Sequence, residues 1–205
     1  NNETAQTIVL KEKGILEPYV SPEAAAIPAN FKDPDGYWAG FAARGRVIIY
    51  NTNLVTDPPK SIEELTDSKW RGKAAIAMPL FGTTATHAAV LFSVWGGEKA
   101  KTFFTQLKKN GIAVLPGNAT VRDKVAEGVY AWGLTDTDDA NGALEDGKPA
   151  KWLFPDRDGM GALIIPNTVA LIKNAPNPDV ARKLIDYLLR PQTEARLAAM
   201  RSVQI

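Results

Sequence analysis

The chain has 205 residues, 45% of them hydrophobic, 8% aromatic and 23% charged, and 24 Lys and Arg against 23 Asp and Glu leave a net charge of +1. These fractions exclude a disordered, collagenous or low-complexity chain, and the balanced charge gives no footprint for nucleic acid or an anionic membrane surface. The absence of cysteine removes disulfide scaffolds, thiolate zinc sites, iron–sulfur clusters and cysteine nucleophiles together.

No run reaches the roughly 18 apolar residues of a membrane span. At roughly 150 residues per domain, the length predicts one large domain or two small ones with ample core. Asn1-Asn2-Glu3-Thr4 lacks a charged n-region followed by an apolar stretch, so the N-terminus reads as a processed or fragment end.

Residues 4–16 read as an amphipathic helix with Gly14 as its C-terminal cap. Pro18, Pro22, Pro28 and Pro34 then predict an extended surface segment over 17–36. Arg46-Val-Ile-Ile-Tyr50 is β-branched and apolar, a buried strand. Ser61-Ile-Glu-Glu64 has the capping-box pattern of a short helix. A strand over 73–78 is closed by Pro79, and helices follow over 83–95 and 98–110, stopped by Gly96-Gly97 and Asn110-Gly111. A strand over 112–115, a helix from Thr120 to near Gly128 and a strand over 129–134 come next. Residues 141–149 read as a turn-rich excursion. Residues 162–165 and 168–172 look like paired strands broken by Pro166-Asn167. Asn177-Pro178 opens a helix that Pro191 ends, and Pro191 starts another through Arg196. Strands alternating with helices predict an α/β fold with a largely parallel sheet.

Four loops carry chemistry. Phe81-Gly82-Thr83-Thr84-Ala85-Thr86-His87 lies between a strand and a helix. Gly82 lets a ligand approach the backbone, first-turn amides point outward, and the threonine hydroxyls add donors for an oxyanion; a plain capped helix start is the alternative. It is not a Walker loop, because no Gly-Lys-Ser/Thr follows. Asn118, in Pro116-Gly-Asn118, either caps the next helix or offers its amide to a ligand. Thr135-Asp136-Thr137-Asp138-Asp139 concentrates carboxylates that favour a cation, an amine or helix-end donors, although the spacing fails the EF-hand pattern; a solvated turn is the plain alternative. Gly36-Tyr37-Trp38 through Arg44 and Arg46 is aromatic and arginine-rich, and one arginine can pair with an anion or an acidic loop residue. Three of these loops follow strands, so they are expected on one rim of the sheet.

Nothing else supplies a reaction. His87 is the sole histidine, lies in an apolar helical pattern and reads as a structural histidine. There is no Gly-x-Ser-x-Gly elbow, and one histidine cannot build a multi-histidine metal site. The enzyme alternative is a metal-dependent hydrolase using the Asp136–Asp139 cluster.

The order of several stretches resembles the periplasmic solute-binding proteins of ABC importers, of the ferric-iron-binding kind within the type II class. They are Leu10-Lys-Glu-Lys-Gly-Ile-Leu16, Gly36-Tyr-Trp-Ala-Gly40, Ala43-Arg-Gly-Arg-Val-Ile-Ile-Tyr-Asn51, Ser61-Ile-Glu-Glu-Leu65, Trp70-Arg-Gly-Lys73, Gly161-Ala-Leu-Ile-Ile-Pro-Asn167 and Asn177-Pro-Asp-Val-Ala-Arg-Lys-Leu-Ile-Asp-Tyr-Leu-Leu189. The resemblance implies two α/β lobes joined by crossing strands: residues 1–50 and 156–205 as what remains of a first lobe, and 51–155 as the second. It also implies that the family's N-terminal strand–loop–helix–strand unit is missing, so the chain is a fragment of a longer secreted precursor or is completed by another polypeptide. The tyrosine pair of ferric-binding members is replaced here by Asp136-Thr-Asp-Asp139.

The implied protein is not an enzyme and has no cofactor beyond a transported metal ion or anion. It is periplasmic or extracellular, membrane-associated through an ABC permease, and binds ferric iron with a synergistic anion, or a small oxyanion or phosphonate. The expected ligand-binding residues are Gly82, Thr83, Thr84, Asn118, Asp136, Thr137, Asp138, Arg44 and Trp38, with Asp136 and Asp138 as metal ligands. Oxyanion contacts at Thr83 and Thr84 and a cationic partner at Asp136 and Asp138 fit a metal–anion pair or a zwitterion such as an aminophosphonate.

Overall fold

The computed structural model describes residues 4–200, so the outer ends of the expected stretches 1–50 and 156–205 lie outside the described residues. The elements are α1 (Thr4–Glu12), β1 (Leu16–Glu17), β2 (Ala39–Asn51), β3 (Ala74–Ala77), α2 (Gly82–Trp95), α3 (Gly97–Lys109), β4 (Ala113–Leu115), α4 (Asn118–Ala126), β5 (Trp132–Asp136), α5 (Thr137–Glu145), β6 (Ala150–Leu153), β7 (Ile164–Val169), β8 (Leu171–Ile172), α6 (Pro178–Leu189) and α7 (Pro191–Ala198). Among the described residues, no helix is long and apolar enough to cross a membrane. The chain divides into two compact units, residues 1–44 with 165–205 and residues 45–164.

In the second unit the strands run in the order β4-β3-β5-β2-β6. β3 is parallel to β4 and β5, whereas β2 is antiparallel to β5 and β6. The sheet is therefore mixed, not largely parallel. β2 is also longer than its apolar run, beginning at Ala39. Strand alternation assigns the two faces. Ile48, Ile76, Trp132 and Leu134 pack with Leu91, Phe103 and Leu107 of α2 and α3. Val47, Ile49, Ala75 and Ala77 pack with Val121, Val125, Ala140 and Ala143 of α4 and α5. α4 lies so close to β5 that a Cβ at Gly133 would sit 2.6 Å from both the Ala75 carbonyl and Val121 Cγ1, so this position needs glycine.

Residues 137–145, partly expected as a turn-rich excursion, form α5. Asp138 and Asp139 in its first turn complement the helix dipole, and Gly142 is tolerated inside it. The turn comes later, at Gly147 with φ +64°. The capping-box segment becomes a 3₁₀ turn, Ile62–Thr66: Ser61 Oγ accepts from Glu63 N, and the Glu64 carboxylate accepts from Lys60 N at 2.7 Å.

In the first unit β1 and β8 pair antiparallel through Leu16–Ile172 and Glu17–Leu171. Its buried cluster comprises Ala24, Ala39, Leu171, Ile185 and Leu189. The proline-rich segment is not simply extended, since Pro22–Ala26 and Ala29–Phe31 form 3₁₀ turns, the first capped by Ser21. Ser21 Oγ and the Tyr19 hydroxyl both donate to Asp186 of α6. β7 runs straight through Pro166 and Asn167 where a break was expected: proline only removes a donor from a strand.

Candidate functional site

β3, β4 and β5 are adjacent and parallel, so their carboxyl ends share one edge of the second unit's sheet, and α2, α4 and α5 begin there. The N-cap residues of these three helices, Phe81, Gly117 and Asp136, make no side-chain capping hydrogen bond among the described residues. Each terminus carries roughly half a positive charge on its first-turn amides, and three in one place make an anion-favouring corner. Gly82, with φ +63° and nothing within 4 Å of where a Cβ would stand, turns the chain into α2.

The side chains at this corner form one network. Thr83 Oγ1 donates to Asp136 Oδ2 at 2.6 Å. Asn118 Nδ2 donates to Thr83 Oγ1 and to Asp136 Oδ2, both at 2.8 Å. Thr84 Oγ1 donates to Asn118 Oδ1 at 3.3 Å, and Thr135 Oγ1 donates to the Asn118 carbonyl at 3.1 Å. Arg46 is wholly buried at the centre. Its Nη1 donates to Asp136 Oδ1 at 2.5 Å, Asn118 Oδ1 at 3.0 Å and Thr83 Oγ1 at 3.3 Å, and its Nε donates to His87 Nδ1 at 3.5 Å. Arg46 Nη2 has no hydrogen-bond partner among the described residues. Burial first, and the Arg46 charge second, push the His87 imidazole down to about 3, so it stays neutral and accepts through Nδ1.

Of the expected ligand residues, Gly82, Thr83, Thr84, Asn118, Asp136, Thr137 and Asp138 all belong to this unit and lie at the starts of α2, α4 and α5. The hydroxyl hydrogens of Thr83 and Thr84 are engaged within the protein, on Asp136 and Asn118. Thr137 is buried and accepts from Gly45 N at 3.2 Å. Candidate metal-ligating atoms of Asp136, Asp138 and Asp139 lie within 4.8 Å of one another. Both Asp136 oxygens already accept hydrogen bonds, so a metal there competes with a permanent buried cation; Asp138 and Asp139 are half-buried in the first turn of α5, with Arg122 3.8 Å from Asp139. Arg44 and Trp38 belong to the first unit, where Trp38 lines an apolar cavity of about 420 Å³ with Tyr19, Tyr37 and Leu171.

Arg46 is the residue that sequence reasoning underused. It was visible as the charged start of the apolar run Val47–Tyr50, but its role depends on register: β2 and β5 place Arg46 directly opposite Asp136.

A profile described as bacterial extracellular solute-binding protein matches residues 9–203. Iron uptake protein A1 of Synechocystis is 30% identical over 92% of this chain and 55% of its own length. A putative 2-aminoethylphosphonate-binding periplasmic protein of Salmonella typhi is 24% identical over 91% of this chain and 55% of its own. A Trichodesmium protein (IdiA, FutA) solved in complex with iron and citrate ligands superposes with a TM-score of 0.86 at 26% identity, covering 98% of this chain and 67% of that one. The chain thus spans about half the length of the curated relatives it matches.

Proposed function

Because the chain belongs to the bacterial extracellular solute-binding proteins, we propose that it is the ligand-receiving part of an ABC importer, working outside the cytoplasmic membrane beside a membrane permease and transforming nothing. Its ligand is a small oxyanion, a phosphate or phosphonate in kind. The observation that carries this reading is the convergence on one sheet edge of three helix N-termini whose N-cap residues make no side-chain capping bond, held together through Thr83, Asn118 and Asp136. Half-buried Asp138 and Asp139 beside this corner suit the amine of an aminophosphonate or a hard cation accompanying the anion, which agrees with a relative named for 2-aminoethylphosphonate and with another solved with iron and citrate.

The test is titration calorimetry of the chain with inorganic phosphate, 2-aminoethylphosphonate and ferric citrate, repeated on Phe81→Asp. Phe81 is exposed and occupies the N-cap of α2, so an aspartate there caps the helix and fills the anion's place with its own charge. A charge-assisted hydrogen bond is worth about 1.5–3 kcal/mol, so affinity should fall more than tenfold while stability holds or rises. Unchanged affinity in Phe81→Asp, or turnover of any of these compounds, overturns the proposal.

A further inference from the structure

We infer that Arg46 is the positioning residue of the oxyanion corner, setting the three helix starts relative to one another without touching the ligand. The inference rests on the oxyanion reading for its affinity arm only. One Nη1 group reaches a side chain from each of the three loops: Thr83 at the start of α2, Asn118 at the start of α4, and Asp136 just before α5. These contacts are separated in sequence by 37, 72 and 90 positions, so no local turn chemistry holds the loops together.

The Nη1 and Nε donors of the cation are engaged inside the protein, and Nη2 is buried. The side chains of Arg46 and Asp136 are 1% and 2% exposed, and they stand directly opposite each other in the β2–β5 ladder. A cross-strand pair in this register fixes where the carboxylate points. Asp136 Oδ2 then orients Thr83 and Asn118, the side chains at the first turns of α2 and α4. His87 lies one helical turn beyond Thr83 on α2 and accepts from Arg46 Nε, so α2 holds the guanidinium at two points and sets its plane. A planar fork suits this task and an ammonium does not: lysine supplies the charge without the fixed directions.

The experiment is Arg46→Lys in the full chain, read by amide NMR and by calorimetry with inorganic phosphate. The expected result is coordinated movement of the amide resonances at Thr84, Ala119 and Asp138, with at least a tenfold loss of phosphate affinity. A merely structural role lowers the melting temperature and leaves those resonances and the affinity of the folded protein as they were, within twofold; that outcome overturns the inference. Failure of the unsubstituted chain to bind phosphate or phosphonate overturns the oxyanion reading instead, and the resonance pattern still decides the role of Arg46.

Should Arg46→Lys not fold, the unsubstituted protein gives the answer. Its Arg46 Nε–H resonance is expected to be protected from solvent exchange and to stay in place on phosphate addition while the three loop amides shift. Exchange as fast as that of exposed Arg71, or a phosphate-induced shift of Arg46 as large as those of the loop amides, overturns it.

Discussion

Replacing His87 by leucine should abolish most of the loss of stability that the second unit undergoes between pH 7 and pH 5. The imidazole is held at about 3 against an ordinary 6.5, so in this range the unfolded chain binds a proton that the native protein refuses. Unfolding is then favoured as pH falls: this contribution is fully present above 6.5 and drains away down to about 3. With those two values, linkage gives a loss of about 2 kcal/mol at pH 5 and about 0.2 kcal/mol at pH 7. Carboxylates with ordinary values near 4 change little above pH 5, and His87 is the sole histidine, so one group accounts for the slope. The assay is urea unfolding at both pH values, followed by tryptophan fluorescence, with Trp132 buried in the same unit. His87→Leu also removes the acceptor of Arg46 Nε and should start about 1–3 kcal/mol less stable at pH 7; the comparison is therefore between the two pH-dependent losses. Equal losses in the two proteins refute the reasoning.

Asp136→Ala leaves Arg46 buried without its counter-ion and should cost about 3–5 kcal/mol by urea unfolding, whereas Arg46→Met combined with Asp136→Leu should recover most of that loss because no charge remains to be desolvated. Gly133→Ala should cost about 1–3 kcal/mol, since the new methyl meets the Ala75 carbonyl and Val121 at 2.6 Å. Gly97→Ala, at a helical position with nothing within 4 Å, should be neutral or stabilising by up to about 1 kcal/mol. Thr83→Ala with Thr84→Ala should weaken phosphate binding more than tenfold in calorimetry by releasing Asp136 and Asn118, with the circular dichroism spectrum preserved.

The sequence by itself determined the α/β alternation, because helical and strand periods are local: the apolar spacing of α2, α3 and α6 and the β-branched run Val47–Tyr50 each announce their element. It also determined that Gly82–Thr84, Asn118 and Asp136 sit where strands give way to helices, since glycine, small polar residues and carboxylates collect at such junctions for reasons within a few residues of themselves. The helix α5 was hidden because Gly142 and Asn141 look like turn residues, and their fate is settled by packing of Ala140 and Ala143 on the sheet rather than by propensity. The reversal of β2 in an otherwise parallel neighbourhood was likewise invisible, because an apolar run says that a strand is buried and not which way it points.

Only the tertiary structure decided the chemistry of the corner. Asp136 read from the sequence as one of several carboxylates awaiting a cation; the cation that meets it is Arg46, 90 positions away. His87 read as a structural histidine, and the structure shows its partner: it is buried and accepts from the same guanidinium. Thr83 and Thr84, read as hydroxyl donors, also give their hydrogens to Asp136 and Asn118 within the protein. Strand register made these choices: a one-residue slip of β2 against β5 moves Arg46 to the opposite face of the sheet, and a side chain's partners across a ladder are fixed by the pairing of two strands rather than by the residues beside it in the chain.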